Sequence, residues 1–74
     1  MNHMKLSTLR AAIKAVNPEA RVSRPDEDWF VIRTPNGLAK ILAALPGLGL
    51  REAAPREIEG GRHDWIHVIH VEVV

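Results

Sequence analysis

Residues 28–45 read DWFVIRTPNGLAKILAAL. Asp28 to Arg33 packs aromatic and β-branched residues into a short run, which suits a pleated, half-buried surface and predicts a strand. Thr34-Pro35 then opens a helix. Threonine suits the N-cap, and proline suits the first helical position, where its missing N–H costs nothing. Leu38, Ile41, Leu42 and Leu45 follow at i, i+3, i+4 and i+7, the stripe of a helix with one buried face. Pro46-Gly47 stops it.

Working towards the N-terminus, Arg24-Pro25-Asp26-Glu27 is a turn. Proline pre-sets φ, and the acidic side chains can bond their own backbone. Ala20 to Ser23 alternates small or apolar with polar and should pair with the Asp28–Arg33 strand as a hairpin. A helix precedes it from about Lys5 to Val16, with Leu6, Leu9, Ala12, Ile13 and Val16 on one stripe. Asn17-Pro18 ends that helix, because proline disfavours αR in the residue before it. Met1 to His3 precede a second methionine and read as a cloning remnant.

Towards the C-terminus, Leu48 to Ala54 reads as a strand, which Pro55 either demotes to an edge strand or ends early. Arg56 to Glu59 is open between strand and helical turn, and Gly60-Gly61 is a flexible turn. Asp64 to Val74, filled by Trp, Ile and Val, is the longest strand. The expected fold is a two-layer αββαββ domain: a four-stranded antiparallel sheet with both helices on one face.

The order of features also repeats, over about residues 5–33 and 35–74. Leu9, Ala12, Ile13 and Val16 align with Leu38, Ile41, Leu42 and Leu45 at a constant offset, and Asp28-Trp29 parallels Asp64-Trp65. If the repeat aligns the strands, Phe30, Ile32, Ile66 and Val68 point together at the helices. The opposite face then carries Trp29, Val31, Arg33, Trp65, His67, Ile69, Val71 and Val73. So apolar a face calls for cover, and a second copy related by a twofold axis is the simplest. The alternative assignment makes the tryptophans ordinary core.

Seventy-four residues form one domain whose core is marginal, since a chain this short buries only about 60–65% of its unfolded surface. Without cysteine it has no disulfide, thiolate ligand or cysteine nucleophile. Ten basic against nine acidic residues give a net charge of +1, too balanced for a general electrostatic grip on nucleic acid. Seven of the ten are arginine, a residue favoured at interfaces and also enriched by GC-rich coding. No apolar run approaches the ~20 residues of a membrane span, so a cytoplasmic location is expected.

Chemistry-bearing groups are sparse. His63, His67 and His70 have metal-like spacing for a helix, but on a strand His63 and His67 lie about 13 Å apart and His70 points away. No nucleophile neighbours a histidine, and Gly47-Leu48-Gly49 follows a helix rather than leading into one. The expectation is a non-enzymatic protein-binding module without a cofactor, a regulator or inhibitor that occludes a partner, working as a homodimer. The competing expectation is single-stranded nucleic-acid binding. There Trp29 and Trp65 would stack bases beside Arg21, Arg33 and Arg51.

Overall fold

A computed structural model describes residues 4–61 and 65–74. The elements run α1 (Leu6–Val16), β1 (Arg21–Asp26), β2 (Trp29–Thr34), α2 (Leu38–Ala44), a 3-10 turn (Pro46–Leu48), β3 (Leu50–Glu52), β4 (Glu57–Gly60) and β5 (Trp65–Val73). All pairings are antiparallel. The order is β1-β2-β5-β3, with β4 also paired to β5. The fold is α+β, as the helix–strand–strand order implies. Its sheet has five strands rather than four, because the edge strand is broken.

The break lies at Pro55. Glu52 faces Val71 and Glu57 faces Val68. Ala53 to Arg56 therefore cross only the positions of Ile69 and His70, a surplus of two residues. Proline cannot donate to a ladder, so the chain bulges there and resumes. The Ala53 N–H still donates to the His70 carbonyl at 2.8 Å. Arg56 reaches back to both carboxylate oxygens of Glu52, at 2.8 and 3.0 Å, closing the detour. An even surplus preserves the side-chain alternation, so Arg51, Glu57 and Glu59 share one face.

The core is a single cluster between the helices and one sheet face. Leu9 and Ile13 of α1 and Ile41 of α2 meet Val22, Phe30, Ile32, Leu50, Ile69 and Val71, with Leu45 beside them. At about 1.5–3 kcal/mol per fully buried large apolar side chain, this layer carries most of the driving force for folding. Arg24 lies 5.1 Å from the Phe30 ring centroid, over its face.

The connection from β2 into α2 differs from the sequence reading. Thr34 is the last residue of β2 rather than a helix cap. Its hydroxyl donates to the Asn36 carbonyl at 2.5 Å. The helix begins after Gly37, at φ 70°. Glycine is needed there twice over: φ is left-handed, and a Cβ would collide with the Asn17 amide. At the far end, Pro46-Gly47 lies inside the 3-10 turn, and Gly49 at φ 72° supplies the left-handed cap. The β1–β2 turn is shorter than expected. β1 continues through an irregularity between Ser23 and Asp26, and the Asp26 carboxylate accepts the Asp28 N–H at 2.9 Å.

The face assignment of β5 is reversed. Phe30 pairs with Val71 and Ile32 with Ile69, so the odd-numbered residues of β5 face the helices. Ile69 and Val71 are core, and Val73 packs against it. Ile66 and Val68 lie on the outer face with Val31 and Arg33. The offset that aligns Trp29 with Trp65 is even, whereas the one relating the buried faces is odd. The two tryptophans therefore sit on opposite faces, and their match is not a structural equivalence. Asp64 of that match lies outside the described residues.

Candidate protein interface

The eight residues expected to form one apolar outer face are divided. Trp29, Val31 and Arg33 are on the outer face; Trp65, His67, Ile69, Val71 and Val73 are on the helix side. Ile69 and Val71 are 0% exposed, so they present nothing to a partner.

The outer face instead mixes Trp29, Val31, Ile66 and Val68 with charged residues, two pairs of which are joined. Register places Arg21, Arg33, Val68 and Glu57 in one row across the sheet, and Ser23, Val31 and His70 in the next. Arg33 spans β5 to reach Glu59 at 3.3 Å, and Arg51 meets Glu72 at 3.1 Å. Val31 and Val68 are 4% and 1% exposed although no helix covers them.

The uncovered apolar surface lies at the sheet's end. β2 pairs with β5 only as far as Thr34 opposite His67. β4 continues beyond, with Glu59 opposite Ile66 and Gly60 opposite Trp65. The β4–β5 hairpin thus runs past the end of β2 as a two-stranded arm. On its helix-side face Trp65 is 62% exposed and Ile58 61%. Ile58 lies diagonally across from Trp65, within reach of so large a side chain. Directly opposite the indole stands Gly60, which has no side chain to cover it. Ile58 was missed because Pro55 obscured the strand. Its signal was the alternation Glu57-Ile58-Glu59.

The five residues of the nucleic-acid reading do not converge. Arg21 and Arg33 are direct cross-strand partners. Arg51 lies at the opposite corner, bound to Glu72, and Trp65 is on the other face. A different basic group forms instead. Arg10, Lys14, Arg21, Val22, Ser23 and Arg33 line one open recess beside α1. Lys14, Arg21 and Arg33 also line its neighbour, with Pro18, Glu19, Pro35 and Ile66. Arg10 and Lys14 escaped the sequence reading because cations off a helix's apolar stripe read as a solvated face.

His67 and His70 fall on opposite sheet faces, and His63 lies outside the described residues. Among the described residues, no three His, Asp or Glu side chains gather as metal ligands. One pKa departure bears on structure: the Arg56 guanidinium, hydrogen-bonded to Glu52, holds that carboxyl below its ordinary range. Among the described residues, no helix is long and apolar enough to cross a membrane.

The architecture is that of a two-layer antiparallel α+β domain. No protein-family model matches the chain, and neither curated proteins nor solved structures include a significant match.

Proposed function

We propose that the chain is a non-catalytic protein-binding module of the regulator or inhibitor type, which self-associates through the β4–β5 arm and occludes its target as a homodimer. The observation that carries this reading is the pairing of Trp65 and Ile58 on the arm's uncovered face, each more than 60% exposed. A tryptophan beside an aliphatic residue is the kind of anchor that interfaces concentrate in their centres. A second copy is the favoured occupant because a twofold contact needs only one patch, presented twice. Association also suits a domain too small for a large core of its own.

The arm faces, rather than the strand edges, make the contact. Pairing β4 with its symmetry mate about Ile58 would set Glu57 directly opposite Glu59, a repulsive arrangement. Sedimentation equilibrium of the intact chain tests the reading. A dimeric mass at micromolar concentration that becomes monomeric in Trp65→Ala supports it. A monomeric native chain counts against it.

A further inference from the structure

We propose that the open recess at the β1 edge, flanked by α1, binds the phosphate backbone of a nucleic acid through Arg10, Lys14, Arg21 and Arg33. This site is separate from the arm, on other elements, and does not depend on it.

Three observations carry the inference. First, Arg21 and Arg33 are direct partners in the β1–β2 ladder. Like charges so placed repel, at Cβ separations of about 4.5–5.5 Å, and an anion between them reverses the sign of that interaction. Second, α1 adds two more cations to the same recess, one helical turn apart. Third, the cations are largely unspent. Lys14 and Arg21 make no ion pair among the described residues. Arg33 engages Glu59 through Nε, which leaves its terminal nitrogens for a second acceptor. Glu19, the carboxylate lining the neighbouring recess, already accepts from the Asn36 amide at 2.9 Å.

The chemistry of the lining selects the occupant. Guanidinium groups match phosphate oxygens in planar, two-pronged contacts. A peptide strand is disfavoured, because the adjoining edge of β1 is blunted. Arg10 donates to the Val22 carbonyl at 3.2 Å, and Pro25 and the irregularity beyond Ser23 interrupt the rest. The contact must therefore be made by side chains, as a phosphodiester backbone requires. The chain's net charge of +1 conceals this site, because Asp26, Glu27 and Asp28 offset it from the far end of the hairpin.

Fluorescence anisotropy with a labelled single-stranded oligonucleotide, and with the matching duplex, tests the proposal on the intact chain. Binding at low salt should weaken about 20-fold between about 50 and about 200 mM salt if three phosphates are neutralised on a single strand. The double variant Lys14→Glu/Arg21→Glu should weaken it at least tenfold more than Lys5→Glu/Lys40→Glu, which changes the net charge equally on other surfaces. Arg21→Glu faces Arg33 and should keep the fold, which a melting curve checks. Trp65→Ala should bind normally. Absence of binding at low salt, equal loss in the two double variants, equal competition by polyglutamate, or loss in Trp65→Ala would each overturn the recess as a nucleic-acid site.

Discussion

Asn17 donates from Nδ2 to the Thr34 hydroxyl at 3.1 Å, joining the residue that caps α1 to the last residue of β2. The same amide reaches the Asn36 carbonyl at 2.7 Å, and the Asn17 side-chain oxygen accepts the Glu19 N–H at 3.0 Å. Both Asn17 and Thr34 are buried. One side chain thus satisfies backbone and hydroxyl groups from two connections that are distant in sequence. Removing a partner from such a network leaves buried polar groups unmet.

Asn17→Ala should therefore destabilise the fold by about 1–3 kcal/mol, the cost of stranding a buried polar group. Gly37→Ala should do similar damage from the other side, through its left-handed φ and the collision with Asn17. Thermal or urea melts measure both. The double variant should cost less than the sum, because Asn17→Ala removes the atom that the new methyl strikes.

Ile69→Ala and Trp65→Ala should separate core from surface along a single strand. Ile69→Ala removes a fully buried side chain and should cost about 2–5 kcal/mol. Trp65→Ala should cost under about 1 kcal/mol of monomer stability while altering the sedimenting mass. A large loss of monomer stability in Trp65→Ala would place the indole in the core.

Arg21→Glu should stabilise the sheet by about 0.2–1 kcal/mol, by replacing a like-charge cross-strand pair with an opposite-charge one. The gain should shrink as salt is added, since exposed charges are screened. Urea midpoints at low and high ionic strength check this.

The Glu52–Arg56 bond should make a small, pH-dependent contribution. Both side chains are partly exposed, so solvent screens the pair. Glu52 has a lowered pKa in the folded chain. Its contribution is fully present above the unfolded carboxylate value and is lost as pH falls through the folded one. The difference in melting temperature between the native chain and Arg56→Ala should be visible at neutral pH and vanish in strong acid. Persistence of the difference in acid would show that Arg56 acts by packing alone.

The sequence by itself determined the two helices, four of the five strands, the order of these elements and the α+β class, and left the strand at Glu57–Gly60 open. These follow from local periods: 3.6 in Leu38, Ile41, Leu42 and Leu45, and β-branched runs in Phe30 to Ile32 and Ile66 to Val73. It also marked Pro55 as the place where the edge strand fails. Only the tertiary structure decided which face of β5 is buried. Trp65, Ile69, Val71 and Val73 make one face of Trp65 to Val73 apolar apart from His67, and Ile66 and Val68 give the other an apolar stretch as well. The choice rests with cross-strand register, and a slip of one residue exchanges the faces. Pairing Phe30 with Val71 sent Ile69 and Val71 inward and left Trp65 beyond the end of β2, 62% exposed. The same long-range pairing set Arg21 beside Arg33 and brought Arg10 and Lys14 to them, a grouping of residues separated by up to 23 positions that no local pattern could announce.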